Sequence, residues 1–186
     1  MCKYVLVGKA ASGKDYCQNL FIKKGYTALK QYTTRPKRPN EKGDEYIFVS
    51  EKKIQKLIDE KKFISLKNFN NWYYGFTLED FKKCDVAILS VGNIQDLEKL
   101  DQNILKCVTI IYLDIPIEIR KKRLKERYNG GKKDDSLKRR VEADEFDFLN
   151  YRTYDIRFLN NNDAVNFINK ITPILKNHKK STKHTK

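Results

Sequence analysis

Apolar runs of strand length alternate along this chain with segments of helical periodicity. Tyr4–Val7, Asp85–Val91 and Val108–Leu113 are nearly continuous apolar runs and predict buried strands. Tyr46–Val49 and Ile156–Leu159 predict shorter strands, and Tyr26–Lys30 predicts a second strand after the first helix. Between 63 and 81 the aromatics Phe69, Trp72, Tyr73, Tyr74 and Phe76 mark a β-rich stretch. A helix from Gly13 to about Lys23 carries Tyr16, Cys17, Leu20 and Phe21 on one face and stops at Gly25. Further helices are predicted from the Ser50 N-cap to Lys61, at Asn93–Leu100, from Pro116 onward, at Ser136–Tyr151 and at Ala164–Lys176. Residues 177–186 contain no apolar side chain and predict a basic, disordered tail.

The first strand runs into Gly8-Lys-Ala-Ala-Ser-Gly13-Lys14-Asp15. Glycines let successive backbone N–H groups turn toward one anion, and the next helix aims its positive end there. Lys14 adds a full charge for β- and γ-phosphates. Gly8, Ala10, Ala11, Ser12, Gly13, Lys14 and Asp15 are therefore candidate ATP-binding residues. The phosphate-loop pattern has Ser or Thr after its lysine, for a Mg²⁺ ligand; this chain has Asp15, a hard carboxylate that is a candidate metal ligand. Strand–loop–helix order and buried strands together predict an α/β fold. Its centre is a P-loop NTPase-type parallel sheet with helices on both faces, and ligands at the strands' carboxyl ends.

A length of 186 residues predicts one compact domain with a sizeable core. No run approaches a membrane span and no secretory-type segment follows Met1, which predicts a cytoplasmic protein. Cysteines at 2, 17, 84 and 107 form no CxxC pair, and both histidines lie in the tail. That excludes a Cys/His metal centre and predicts reduced thiols. The net charge of +15 suggests anionic partners without choosing between nucleotides, nucleic acid and plain solubility.

Two groups of arginines suit phosphate better than the lysines found elsewhere on the chain. Arg35 and Arg38 lie three apart in a segment punctuated by Pro36, Pro39 and Gly43, and Tyr46 and Tyr74 offer phenolic hydroxyls. Arg120, Arg123 and Arg127 recur at helical spacing, followed by glycines at 130 and 131 and by Arg139 and Arg140. A glycine-hinged pair of helices bearing these arginines could close over a triphosphate.

Thr33-Thr-Arg35-Pro-Lys-Arg38, Glu41, Gly43, Tyr46-Ile-Phe-Val-Ser50, Phe63-Ile64 and Tyr73-Tyr-Gly75 resemble the guanylate kinases. So do Arg123-Leu-Lys-Glu-Arg127 and Ser136-Leu-Lys-Arg-Arg140-Val, and the resemblance spans roughly residues 3 to 170. It implies a core (1–31, 83–123, 151–176), a small mixed α/β monophosphate-binding insertion (32–82) and a helical lid (124–150). It implies ATP and a nucleoside monophosphate as partners, with Mg²⁺ as cofactor. Position by position, Arg35, Arg38, Tyr46 and Tyr74 would hold the acceptor's phosphate. Lys14, Arg127 and Arg140 would be catalytic, and Asn160 would lie on the adenine side.

Three base-reading positions depart from that family: Ser65 replaces a glutamate, Phe76 a serine, and Ser90-Val-Gly92 an Asp-x-Asp. Ser65 and Phe76 remain candidate acceptor-site residues, Phe76 as a stacking platform indifferent to base identity. The expected activity is phosphoryl transfer from ATP to GMP, dGMP or a related monophosphate, with weakened preference for guanine. A non-catalytic nucleotide- or protein-binding module is the competing reading, and the retained Lys14 argues against it. Nucleic-acid binding rests on charge alone, since no such motif is present.

Overall fold

A computed structural model describes residues 3–37, 46–69, 71–128 and 134–181. In chain order its first half contains β1 (Lys3–Val7), α1 (Lys14–Lys23), β2 (Gln31–Thr33), β3 (Tyr46–Phe48), α2 (Glu51–Asp59), β4 (Phe63–Phe69), β5 (Trp72–Thr77) and α3 (Leu78–Lys83). The second half contains β6 (Val86–Ile88), α4 (Val91–Leu100), α5 (Gln102–Lys106), β7 (Val108–Leu113), α6 (Ile117–Tyr128), α7 (Asp134–Phe148), β8 (Ile156–Phe158) and α8 (Asn161–Ser181). The apolar runs form a parallel sheet in the order β6-β1-β7-β8.

Alternation along β1 explains why its run is continuous. Val5 and Val7 join Ala87, Ile110, Tyr112 and the α4 residues Ile94 and Leu97 in one cluster. Tyr4 and Leu6 join Ile111, Leu113, Cys17 and Phe21 of α1, and Ala164 and Ile168 of α8 in another. Successive side chains point to opposite faces, and helices cover both, so no charged position is left between Tyr4 and Val7.

The aromatic stretch becomes a separate mixed sheet in the order β3-β2-β5-β4. β4 and β5 form an antiparallel hairpin, β5 pairs antiparallel with β2, and β2 pairs parallel with β3. Asn71 turns the hairpin at φ 64, a left-handed conformation that asparagine tolerates. Ser50 caps α2 by accepting the Lys53 amide, as its position predicts.

Three expectations need correction. Tyr26–Lys30 is no strand: Tyr26 is buried beside Phe21, its hydroxyl donates to the Thr172 carbonyl, and only Ala28 bridges to Val86. The strand expected at Asp85–Val91 is shorter. Ser90 Oγ accepts the Asn93 amide while Asn93 Oδ1 accepts the Ser90 amide, a capping box that starts α4 at Val91. The predicted tail is partly helical, since α8 continues to Ser181; residues 182–186 lie outside the described residues. Among the described residues no helix is long and apolar enough to cross a membrane.

Candidate active site around the phosphate loop

The loop after β1 needs its glycines for different reasons. A Cβ on Gly8 would lie 2.7 Å from both the Leu113 carbonyl oxygen and Ser12 Oγ. Gly13, the residue before α1, has φ 96, and a Cβ there would lie 2.5 Å from Asn161 Nδ2. Ala11 is also left-handed, at φ 60. The loop is thus wound tightly against β7 and the start of α8, which turns its amides inward. Ser12 is fully buried, and its Oγ has no partner among the described residues. Lys14 Nζ folds back across the loop, donating to the carbonyls of Gly8 at 2.6 Å and Lys9 at 2.9 Å. Asp15 is exposed in the first turn of α1.

Residues distant in sequence brace the loop. Arg123 of α6 donates from Nη1 to the Ala11 carbonyl at 3.1 Å and from Nη2 to Asn161 Oδ1 at 2.8 Å. Asn161 Nδ2 in turn donates to the Ser12 carbonyl at 2.9 Å. Asn160, expected near the nucleotide, accepts the Asp163 amide and donates to its carboxylate, which caps α8. Asn161 is the residue that reaches the loop.

From α7 come two carboxylates. The Ala10 amide donates to Asp144 Oδ2 at 2.6 Å, so one loop N–H already serves an anionic oxygen. Glu145 bonds Lys9 Nζ at 2.5 Å and the buried Arg120 at 2.6 Å. Partial burial pushes the Glu145 carboxyl up, but hydrogen bonds from Lys9 and Arg120 outweigh it and hold the group below its ordinary range. Arg120 also donates from Nε to the Ile115 carbonyl, and its Nη1 is buried without a partner among the described residues. No spacing rule links α7 to the loop, so neither carboxylate was legible as part of this site.

On the second sheet, Arg35 is buried, with its guanidinium 5.4 Å from the Tyr46 ring centroid and 5.5 Å from that of Phe48. The Tyr46 and Tyr74 rings are 5.9 Å apart, so three of the four residues expected to grip a phosphate share one cluster. Arg38 lies outside the described residues, as do the side chains of Arg127 and Arg140. Phe76 is a correction. It is fully buried in the core, 5.9 Å from Phe81, and has no face open to stack on a base. Ser65 is closed off too: it accepts from Asn93 Nδ2 at 2.7 Å and donates to Asp96 Oδ2 at 2.6 Å.

Among the described residues no group of three or more His, Cys, Asp or Glu could hold a metal ion. Magnesium in phosphoryl-transfer sites is held by one or two carboxylates, substrate phosphates and water. A single exposed carboxylate beside the loop lysine fits that requirement.

A phosphate loop at the carboxyl end of the first parallel strand, with a second sheet carrying its own arginine–tyrosine cluster, defines a P-loop kinase. The guanylate kinase family model matches residues 1–178, and the chain belongs to that family. A guanylate kinase of Wigglesworthia glossinidia brevipalpis is 36% identical over 149 residues, 77% of this chain and 70% of the relative. One from Prochlorococcus marinus is 26% identical over 149 residues, 77% and 79% of the two chains. In fold the chain is similar to the crystal structure of guanylate kinase from Anaplasma phagocytophilum, with TM-score 0.63, 17% identity, and 95% and 85% of the two chains covered. The chain is a phosphotransferase with a nucleotide-binding loop.

Proposed function

We propose that this kinase transfers the γ-phosphoryl group of ATP to GMP, dGMP or a related nucleoside monophosphate. The observation that carries this reading is the pairing of two separate groups suited to phosphate: the wound loop with Lys14, and the Arg35–Tyr46–Tyr74 cluster. In-line transfer needs positioning and charge neutralisation more than it needs a strong base.

In this reading the loop amides and Lys14 hold the donor's phosphates, and Asn161 and Arg123 keep the loop wound while they do so. Arg35, Tyr46 and Tyr74, with Arg38, orient the acceptor's phosphate. Residues 124–150 act as the lid, with Arg127 and Arg140 stabilising charge on the transferring group and the closed lid excluding water. Asp15 would hold Mg²⁺, which would supply charge neutralisation for the phosphates. Asn160 borders the adenine side from the start of α8.

The test is acceptor-dependent ADP release in a coupled assay with GMP, dGMP, AMP, CMP, UMP and dTMP. Each is measured at several Mg²⁺ concentrations. Absence of stimulation by every acceptor would remove the reading.

A further inference from the structure

A second polar network lies between β4 and the first turns of α4. Asn93 is buried, and its Oδ1 accepts both the amide and the hydroxyl of Ser90. Its Nδ2 then has one direction left, toward Ser65 Oγ. With its acceptor side used, Ser65 points its proton at Asp96 Oδ2. Lys67 Nζ meets the same oxygen at 2.7 Å. Both contacts use Oδ2, so Asp96 Oδ1 takes no bond among the described residues. The Asp96 side chain is 21% exposed and that of Lys67 47%.

The network adjoins the arginine–tyrosine cluster. Lys67 is the cross-strand partner of Tyr74, so the two side chains leave the sheet on the same face. Tyr74 leads to Tyr46 and from there to Arg35. Gly92, at the N-terminus of α4, leaves room for this arrangement: a Cβ there would lie 3.4 Å from Lys67 Cε and 3.6 Å from its Nζ. A side chain at 92 would thus meet the lysine stem and head in ordinary contact.

We propose that Asp96 and Lys67 are the specificity-determining residues for the acceptor's base, with Ser65 and Asn93 as positioning residues. The proposal rests on the acceptor reading above. A carboxylate with a free oxygen next to an ammonium presents an acceptor edge beside a donor. Guanine supplies the complement: N1–H and N2–H for the carboxylate, and O6 for the ammonium. Adenine offers no neighbouring pair of donors and no carbonyl.

Initial rates with GMP, IMP and AMP test this, because IMP keeps O6 and N1–H and lacks only the 2-amino group. In the wild type, kcat/KM should fall from GMP to IMP to AMP. Asp96→Asn should lower GMP about 10- to 100-fold, lower IMP less, and leave the KM for ATP unchanged. Lys67→Met should lower GMP and IMP equally and leave their ratio intact. Lys67 is exposed, so that variant decides the question even where Asp96→Asn fails to fold. Calorimetric binding of GMP and IMP is measured alongside. A wild type with no turnover but with this pattern in binding would refute the phosphoryl-transfer reading and uphold the base-reading proposal. Unchanged GMP/IMP and GMP/AMP ratios, in rate and binding, in variants with wild-type melting curves would overturn it.

Discussion

Removing the Asp144 carboxylate should tighten ATP binding. The Ala10 amide donates to Asp144 Oδ2 at 2.6 Å, and one N–H cannot serve that oxygen and a phosphate oxygen together. Nucleotide binding therefore exchanges a charge-assisted bond within the chain for one to the ligand. Hydrogen bonds to charged groups contribute about 1.5–3 kcal/mol. Asp144 is partly exposed, and solvent screening brings its share down to about 1 kcal/mol. At that magnitude Asp144→Ala lowers the Kd for ATP about 5-fold. Glu145 remains paired with Lys9 and Arg120, so α7 stays docked and the change is confined to one amide. Alanine is also a good helix former, which leaves α7 itself undisturbed. Asp144→Asn retains a neutral acceptor and should fall between the two. The assay is calorimetric titration with ATP and with ADP at one Mg²⁺ concentration, alongside thermal melts. A Kd that is unchanged or weaker in Asp144→Ala, at an unchanged melting temperature, refutes the reasoning.

Lys14→Ala should reduce turnover by orders of magnitude with the fold intact, as expected of a charge that serves the transferring phosphate; near-normal rates would refute that role. Gly13→Ala places a Cβ 2.5 Å from Asn161 Nδ2 in a left-handed conformation that costs an L-residue about 1–2 kcal/mol, so the melting temperature and ATP affinity should both fall. Equal melting curves for Gly13→Ala and wild type would show that the loop relaxes freely. Glu145 has a folded-state pKa below its ordinary 4.5, so it stabilises the fold above that pH and loses the contribution as pH falls below it. Glu145→Gln should therefore melt below wild type at pH 7, with the gap closing in acid; a constant gap from pH 7 to 3 would contradict this. Arg123→Ala should weaken ATP binding by loosening the loop at Ala11 and Asn161 without changing acceptor discrimination, which titration with ATP and with GMP would separate.

Features local in sequence were legible before any coordinates. The loop from Gly8 to Lys14 announces itself because its chemistry needs glycines and a lysine within one turn of chain. The strands were legible because two buried faces demand unbroken apolar runs. Contacts made across the fold were not. Asp144 meets the loop from 134 residues away, and Asn161 from 149. Asn160 and Asn161 carry the same side chain, and only the direction of the α8 cap decides which one reaches Ser12. Phe76 misled because an aromatic residue in a strand looks the same whether it faces a ligand or the core. Asp96 had a signal: it lies four residues after Gly92, one helical turn along the same face.

The segment that fails to become a strand closes an open border. β6 lies at the end of its sheet, where unpaired backbone groups would offer a template to another chain. Thr27 accepts the Val86 amide, Leu29 donates to the Val86 carbonyl, and the Gln31 side chain donates to the Ile88 carbonyl. At the opposite border the three-residue β8 carries the exposed Arg157, salt-bridged to Asp114 just after β7. One border is blunted by a short cover of its own chain and the other by charge and brevity. Edge-to-edge association of two such sheets is disfavoured at both ends, so a variant that loosens residues 27–31 should show itself first as aggregation, before any loss of phosphoryl transfer.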